Sequence, residues 1–480
     1  MYSPFFATWG TVTNLSRKYN VSRQFIYNEK HKLELCLDIS QKNNSLEDNK
    51  LKRTCVIKQI LSLRLVNKSS IIGISEHLSY FENKFCSVGF ISQILTKAGE
   101  LIGDKIDVDL PETLTIPICS DEIFAGQIPI LVTIEPKSMA IIGIELTDSR
   151  DADVWIESWK YIKNQNIEFS SLINDDATGM ESAREQLIPD TPRQRDTFHS
   201  VSHKLGLWRI RLEEAQYSAI QAEYEAERLS KNAKSKRVKI RRKRALNKAK
   251  VKTQKAIALY EDFKFLYHCL LECFEIFDKK GKLKNVLSVT GDFVTAVEYI
   301  KSLNHERINQ EIKHIDKDLD KLFFFFQTAQ SVVNDLSKQI DADILCQFGL
   351  AWQTHKKMLK AKQTDRRNIL KNKEQRLLKI VKELLENEFE ATKNQIYDKL
   401  NNINQSSALV ECVNSIIRPY MNTFKNQPTQ EFLNLFMFYH NHRRFVAGER
   451  KGKTPWELLT GKKQTEDWLE LMMNKIQSIC

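Results

Sequence analysis

Two apolar runs of the chain end on adjacent carboxylates. The stretch TIPICSDEIF carries Asp121 and Glu122, and the stretch SLINDDATGM carries Asp175 and Asp176. A buried strand seldom ends on paired acids without a cation or another partner to stabilise them. Carboxylate oxygens are also the ligands that Mg²⁺ prefers. The two stretches therefore predict a divalent-metal site between two strand ends, with Asp121 and Asp175 favoured and Glu122 and Asp176 as alternatives.

A third acid is needed to close such a site, and the segment SSALVECVNSIIRPY contains one. Glu411 is a single carboxylate in a mostly apolar helical pattern, with Asn414 and Arg418 on the same face at i+3 and i+7. A charge on a mostly buried helix needs a partner, and a metal ion would supply it. We predict Glu411 as the third ligand, with Glu449 as an alternative.

The elements around these acids alternate between strand and helix. Three runs rich in β-branched residues, LTIPICSD, IPILVTIE and MAIIGIELT, predict an antiparallel meander. An amphipathic helix (151–166), a strand (169–174), a helix from Thr178 and a strand near 193–199 follow. This order is typical of an RNase H-like fold, in which the first and fourth strands are neighbours. Asp121 and Asp175 would then meet.

The N-terminal segment TVTNLSRKYNVSRQFIYNEKHKLE (11–34) resembles a helix-turn-helix. Leu15 and Tyr19 give one apolar face, Ser22 caps a second helix, and Phe25 and Ile26 are expected to point inward. The alternative is a small helical hairpin with a solvated face. The side chains expected to point outward suit DNA grooves and phosphates: Arg23, Gln24, Tyr27 and Asn28.

A second helical trio follows, at 51–64, 69–81 and 87–102, with Ser69 and Ser87 as expected N-caps. It also resembles a helix-turn-helix unit, with Ser87–Lys97 as the candidate recognition helix.

Charge is unevenly distributed along a chain whose formal net charge is +12. Residues 111–160 hold 3 Lys/Arg against 9 Asp/Glu, whereas residues 231–255 hold 13 Lys/Arg and no acid. A run of one sign repels itself, and a DNA backbone alongside would relieve that repulsion through counterion release. A solvated helix face is the alternative. The cations predicted to contact DNA are Lys236, Arg237, Arg241, Arg242, Lys243 and Arg244.

At this point the chain resembles a DDE transposase of the group with an all-helical insertion between the second Asp and the Glu, as in Mutator-like and hAT-like elements. The matching stretches are the Asp121 strand, NDDATGM with Asp175, and ECVNSIIR with Glu411. QRDTFH resembles that group's signature of Cys or Asp, two residues, then His, at Asp196 and His199.

The C-terminal stretch FYHNHRRFVAGERKGKTPWELLTG is similar to the end of bacterial insertion-sequence transposases. Five side chains in or near the matched segments are candidates to contact the DNA backbone: His203, His440, His442, Arg443 and Arg444. For YHNHRR the alternative is a simple polar protein surface.

The resemblance implies two-metal phosphoryl transfer, with two Mg²⁺ (or Mn²⁺) ions on Asp121, Asp175 and Glu411. Such an enzyme would cut DNA at the ends of its element and join the freed 3′-ends to target DNA. Its partners would be the terminal repeats and the target, and it would act as a homodimer or larger assembly. The supporting residues would be Asp196, His199, Asn414 and Arg418. For His199 the alternative is a core histidine hydrogen-bonded to Asp196.

The expected fold class is helix-rich α+β, with N-terminal helix-turn-helix units and an RNase H-like (retroviral integrase-like) mixed five-stranded sheet. A long all-α insertion interrupts the sheet domain. The expected parts are a DNA-binding region (1–108), the first part of the core (109–204), the insertion (205–402), and the second part of the core with the C-terminal tail (403–480).

Nine cysteines occur without a CxxC pair, and no apolar run reaches 18 residues. We therefore expect reduced thiols, no membrane segment and a cytoplasmic protein. The resemblance to bacterial insertion-sequence transposases further implies that it is a bacterial, nucleoid-associated protein. Three rival functions remain. They are a catalytically idle, domesticated DNA-binding protein, an RNase H-like nuclease without strand transfer, and a structural coiled-coil protein.

Overall fold

The computed structural model describes residues 11–39, 45–82, 85–106, 113–175, 177–313, 315–425 and 427–477. The chain forms two compact units. One contains residues 1–102 and 466–480, and the other contains residues 103–465. No helix among the described residues combines the length and the apolar character needed to cross a bilayer.

The first unit is helical. Its helices are α1 (Thr11–Tyr19), α2 (Arg23–Ile39), α3 (Ser45–Leu65), α4 (Ile71–Glu82) and α5 (Val88–Ile102), together with the C-terminal helix α20 (Trp468–Lys475). Its core includes Ile57 and Leu61 of α3, Leu78 of α4 and Ile91 of α5. Helices α1, α2, α4 and α5 lie in the segments predicted to be helical, α3 begins six residues before its predicted start at residue 51, and α20 is not among the predicted helices.

Details of the first unit differ from the expectations. Tyr19 and Phe25 are 63% and 49% exposed, so only Ile26 of the pair Phe25–Ile26 is buried. The Ser70 hydroxyl, not that of Ser69, accepts the Gly73 N–H at 3.1 Å and caps α4. The Ser69 carbonyl instead accepts a bond from buried Arg64 at 2.6 Å. Ser22 and Ser87 cap their helices as predicted.

The second unit is built on a mixed five-stranded sheet. Its strands are β1 (Leu114–Ala125), β2 (Ile128–Glu135), β3 (Ala140–Leu146), β4 (Ile167–Asn174) and β5 (Arg193–Arg195). The spatial order is β3-β2-β1-β4-β5, with β1–β2 and β2–β3 antiparallel and β1–β4 and β4–β5 parallel. The helix-rich α+β class and the five-stranded mixed sheet are confirmed.

Helices α6 (Ala152–Lys163) and α7 (Thr178–Leu187) pack on the sheet. Trp155, Trp159 and Ile162 recur at helical spacing on α6 and are fully buried, since this spacing places them on one helix face. The Trp159 indole N–H donates to the Ser120 hydroxyl of β1 at 3.3 Å.

Two further elements cover the edges of the sheet. Helix α18 (Gln430–His442) covers edge strand β3, where the Asn441 side-chain amide bonds both the N–H and the carbonyl of Ile141 at 2.9 and 2.8 Å. Beside β5, the Gln194 side chain donates to Leu322 O at 3.0 Å and accepts from Phe325 N at 2.7 Å. Covered edges leave fewer unpaired backbone groups open to other chains.

The remaining helices form the insertion and the C-terminal part of this unit. A π-helical turn (Phe198–His203) leads into the insertion, and the 3₁₀ turn Glu386–Glu388 lies within it. The insertion helices are α8 (Lys204–Lys231), α9 (Lys236–Cys273), α10 (Val286–Ser302), α11 (Glu306–Glu311), α12 (Leu319–Leu322), α13 (Phe325–Ser337), α14 (Ala342–Lys360), α15 (Thr364–Leu385) and α16 (Phe389–Leu400). They share one aromatic-rich core. Then come α17 (Ala408–Thr423), α18, and α19 (Pro455–Thr460).

Candidate functional site

Asp121 and Asp175 lie on neighbouring parallel strands. The last backbone pair of β1 and β4 joins Cys119 to Ile173, and each aspartate lies two residues further along. Equal steps along parallel strands keep the two residues side by side. The chain thus brings these two predicted acids together.

The expectation that both acids follow their strands is wrong for Asp121. Strand β1 continues to Ala125, and Asp121 pairs with Val132 of β2 inside the hairpin. Hydrogen bonds to β2 pair the backbone of β1 beyond Asp121 and Glu122, so the strand continues past the two acids. Asp175, by contrast, directly follows β4.

Asp121 is the most perturbed carboxyl of the site. Burial and, to a smaller extent, the negative charges of Asp175, Glu411 and Glu122 together raise its pKa to about 8. The Asn414 amide donates to Asp121 Oδ2 at 2.8 Å. A carboxyl held among like charges favours either a proton or a bound cation.

Helix α17 supplies Glu411 and Asn414 one turn apart, as the i+3 spacing predicts. Glu411 is half-buried, and its Oε1 lies 3.2 Å from His199 Nε2. Asn414 is fully buried, and its Oδ1 has no hydrogen-bond partner in the described part of the chain. Arg418 is exposed on the same helix.

Asp175 is fixed by backbone and side-chain bonds. Its Oδ1 accepts the Ala177 N–H at 3.0 Å, and its carbonyl accepts from Arg193 Nη2 at 2.9 Å. Arg193 is buried and also donates to Asn174 Oδ1 at 2.8 Å. Asp176, the alternative ligand, lies outside the described residues.

Glu122, the alternative to Asp121, has a cationic partner of its own. Arg150 Nη1 lies 2.7 Å from Glu122 Oε1. Burial raises the pKa of Glu122, and Arg150 opposes that rise. Because a partner already neutralises Glu122, Asp121 is the better cation ligand.

The Asp196 carboxylate is fully buried and joins the two ends of the insertion. It accepts the N–H groups of Phe198 and His199 at 2.6 and 3.0 Å, and both the N–H (3.0 Å) and the hydroxyl of Ser407. His199 bonds it through its backbone, while the His199 ring faces Glu411. Of the alternative, a core histidine hydrogen-bonded to Asp196, the hydrogen bond is present through the backbone N–H, but the side chain is only partly buried.

The donor set has the chemistry of a divalent-cation site. Asp121, Asp175 and Glu411 offer hard oxygen ligands, and the unpaired Asn414 Oδ1 adds a neutral one. Within the described ranges, no group of three or more His, Cys, Asp or Glu side chains is close enough to form a ready-made metal cluster. The residues fit Mg²⁺ or Mn²⁺. Water molecules and substrate phosphate oxygens usually supply the remaining ligands of such an ion.

No family model matches the chain. A search of curated proteins finds no significant match either.

The basic run lies on an α-helical arm. Helices α8 and α9 pack antiparallel, with the Thr253 hydroxyl donating to Ala219 O at 3.0 Å. From Lys236 to Lys255 the cations on α9 form no ion pair with any carboxylate of the described residues. Lys236, Arg237, Arg241, Lys243 and Arg244 are exposed, and Arg242 is half-buried.

The other predicted DNA contacts divide into exposed and enclosed side chains. Arg23, Gln24 and the partly exposed His199 have accessible surface, and His203 and Arg443 are exposed. Arg444 donates to Gly452 O and to Glu457 at 2.8 and 2.9 Å, so it stabilises its own segment.

His440 and His442 are buried, so their assignment as DNA contacts is wrong. His440 Nε2 lies 2.9 Å from Met139 O, and burial lowers the pKa of His440 to about 4. His442 Nδ1 lies 2.9 Å from Gln464 Oε1. Glu449, the alternative third acid, instead faces His355 of α14, with 3.4 Å between Oε1 and Nε2.

Three site residues escape the sequence patterns. Arg150 and Arg193 reach the acids through long-range contacts, and nothing in their local sequence indicates this. Ser407 had a usable signal, since a serine before an apolar helical run is typical of an N-cap. Its hydroxyl nevertheless bonds Asp196 rather than the first turn of α17.

Proposed function

We propose that this chain is a DNA transposase that cleaves and joins phosphodiester bonds with divalent metal ions bound by Asp121, Asp175 and Glu411. One observation carries the proposal. Asp121 of β1 and Asp175 after β4 lie side by side, and α17 brings Glu411 towards them, because Asn414, one turn from Glu411, donates to Asp121 Oδ2 at 2.8 Å. Groups that repel one another are kept together in functional sites more often than in structural ones.

The sheet supports the same assignment. Three antiparallel strands followed by two parallel ones, in the order β3-β2-β1-β4-β5, match the RNase H-like arrangement to which the resemblance points. In that arrangement the acids of β1 and β4 are neighbours, and the third acid comes from a helix after the last strand. We propose that the five strands form an RNase H-like core and that α8–α16 are its insertion.

The side chains around the acids have distinct roles in this proposal. Bound divalent ions would activate the attacking oxygen and neutralise charge on the leaving oxygen. The Asn414 side-chain amide donates to Asp121 and orients it. The His199 ring, which belongs to the π-helical turn, contacts the Glu411 carboxylate and holds it in place. Arg193 fixes the Asp175 backbone, so that the Asp175 carboxylate keeps its direction.

DNA contacts are assigned to the exposed cations. The α9 run supplies a dense positive surface for the phosphate backbone. Arg23 and Gln24 at the start of α2 suit groove recognition, if α1 and α2 act as a helix-turn-helix. Arg443 is the C-terminal candidate. Arg444 is left out because its guanidinium is engaged within its own segment.

The decisive experiment uses the full chain with labelled duplexes that carry the genomic DNA on either side of its coding sequence. A supercoiled plasmid serves as target, with Mg²⁺ or Mn²⁺ added. We expect strand cleavage at defined positions and joining of labelled 3′-ends to the plasmid. Asp121→Asn, Asp175→Asn and Glu411→Gln should each abolish both steps while leaving duplex binding unchanged.

The rival functions give different results. Binding without cleavage by the wild-type chain would indicate an idle DNA-binding protein. Metal-dependent cutting without joined products, again lost in the three variants, would indicate a nuclease. Cleavage that survives all three substitutions would refute the assigned site.

A further inference from the structure

Helix α8 carries an exposed apolar stripe. Ile210, Tyr217 and Tyr224 recur at intervals of seven residues and are 44%, 65% and 66% exposed. Leu207 and Ile220 flank them and are also exposed. Residues seven apart lie on nearly the same side of a helix, so these side chains form one row, with the polar residues Glu213, Glu214 and Gln221 between its members.

This stripe lies opposite the face that α8 buries. Leu205, Trp208, Leu212 and Ala219 are buried in the packing of the arm. At about 100° per residue, the buried face and the stripe centred on Tyr217 are roughly half a turn of the helix apart. A helix that is apolar on two opposite sides is typical of one packed between two partners.

We propose that the stripe is a self-association surface on which α8 of a second copy packs antiparallel, with the two-fold axis at Tyr217. A two-fold interface brings the same patch of both copies together. Tyr217 then meets its own counterpart, and Ile210 meets Tyr224 of the other copy. The seven-residue spacing suits helix-on-helix packing.

The charges beside the stripe favour this antiparallel register. On one flank, Arg211 comes beside Glu225 of the second copy. On the other flank, Arg209 comes between Glu223 and Glu227 of that copy. The intrachain contacts of these groups are exposed or partly exposed and exchangeable. Arg209 pairs with Glu213 at 3.1 Å, Glu225 with Arg228 at 2.8 Å, and Glu227 with Lys231 at 2.8 Å. Arg211 lies over the Trp208 ring, 4.9 Å from its centroid.

A parallel pair is disfavoured by the same residues. It would place Glu213, which lies one turn before Tyr217 near the centre of the stripe, close to its own counterpart, and like charges that face one another across helices destabilise pairing. It would also bring the two basic α9 runs together. The antiparallel pair instead puts these runs on opposite halves of the four-helix layer, because α9 packs on the far side of α8.

The contact is short, so the association is expected to be weak. The distance from Ile210 to Tyr224 along the axis is about 21 Å. A helix face of that length buries less than the roughly 800 Å² per partner of a typical stable interface. We therefore expect a reversible dimer with a dissociation constant on the order of 10 µM.

Sedimentation velocity of the full chain without DNA, over a concentration series, tests the surface. The wild type should shift from monomer to dimer across that range. Tyr217→Glu with Tyr224→Glu should weaken dimerisation at least about tenfold, whereas Tyr299→Glu on α10, at a similarly exposed tyrosine, should not.

A charge exchange tests the register. Arg211→Glu and Glu225→Arg should each weaken the dimer, and the double variant should restore it, because each copy then presents the reversed pair. A strictly monomeric wild type, or a dimer indifferent to the tyrosine substitutions, would overturn the proposal. So would a tyrosine variant that loses duplex binding while its sedimentation is unchanged, since the stripe would then contact DNA. Association without DNA does not depend on the proposed chemistry, so the two proposals can fail separately.

Discussion

Asp196 and Ser407 join the two ends of the helical insertion, 211 residues apart in the chain, through two hydrogen bonds to one carboxylate oxygen. Asp196 lies three residues before His199, and Ser407 lies four residues before Glu411. Because His199 and Glu411 contact each other at 3.2 Å, this buried pair fixes both sides of that contact. The position of Glu411 therefore does not depend on the length of the insertion.

Asp196→Asn should therefore lower both stability and activity. An amide nitrogen replaces one acceptor oxygen, so one pair of donors loses its partner. We expect a loss of about 2–4 kcal/mol in the free energy of unfolding, measured by chemical denaturation. In the cleavage assay, kcat should fall while KM for DNA stays unchanged, since Glu411 is displaced and the DNA contacts are not.

The matched comparison is Ser407→Ala, which removes only the hydroxyl and should lower the free energy of unfolding by about 1 kcal/mol. Ser406→Ala alters the neighbouring residue and should leave stability and kcat unchanged. An Asp196→Asn protein as stable and active as the wild type would show that Asp196 does not position Glu411.

Asp121 makes stability depend on pH in a direction that can be tested. Its pKa of about 8 in the folded chain lies above the ordinary value of about 3.9. The folded state then binds the proton more tightly, so stability falls as pH rises from about 4 to about 8 and changes no further above that. Asp121→Asn removes this loss, so its melting temperature should exceed that of the wild type by a growing margin from pH 5 to pH 9.

The measurement is thermal unfolding in metal-free buffer at pH 5, 7 and 9. Asp190→Asn, at an exposed aspartate of the same unit, should show a constant difference. Adding Mg²⁺ at pH 9 should raise the melting temperature of the wild type more than that of Asp121→Asn. An equal margin at every pH would contradict a strained carboxyl at this position.

The strands and their neighbours are the part of the fold that the sequence predicts best. β-branched runs with short turns mark β1, β2 and β3, and the two later runs mark β4 and β5. The adjacency of β1 and β4 then brings Asp121 and Asp175 together. Helical spacing places Glu411 and Asn414 on one face of α17, because i and i+3 positions always share a face.

Long-range contacts account for most of what the sequence does not predict. The end of β1 depends on the pairing with β2, so Asp121 lies within a strand rather than after it. Burial of His440 depends on α18 packing against β3, and its own sequence, YHNHRR, is typical of a polar surface. The Asp196–Ser407 pair forms because the two ends of the insertion lie close together, and no local sequence pattern predicts this proximity.

His355 gives a second pH-dependent prediction, in the insertion. The carboxylates of Glu374 and Glu449 raise the pKa of His355 to about 9. Lys356 and Tyr397 also interact with these carboxylates, Lys356 with Glu449 and Tyr397 with both. A raised histidine pKa means that this stabilisation is complete below about pH 6.5 and is lost as pH rises through 9. His355→Gln should thus destabilise the chain by about 1–2 kcal/mol at pH 6 and by much less at pH 10.

Chemical denaturation across this pH range checks the prediction. His268→Gln, at an exposed histidine of α9, is the control and should show no such pH dependence. A constant effect of His355→Gln from pH 6 to 10 would mean that packing, not the ion pairs, makes this histidine important.

The basic run of α9 should determine the salt dependence of DNA binding. Replacing Arg241, Lys243 and Arg244 with Gln removes three exposed cations, and each lost phosphate contact lowers the slope of log K against log salt by about 0.9. We expect weaker binding of a random-sequence duplex and a slope reduced by about 2–3, measured by fluorescence anisotropy at several salt concentrations. The control is the triple Gln variant at Lys371, Lys373 and Arg376 of α15, which are also exposed and remove the same charge. Equal losses in both variants would mean that net charge, rather than the α9 surface, attracts the DNA.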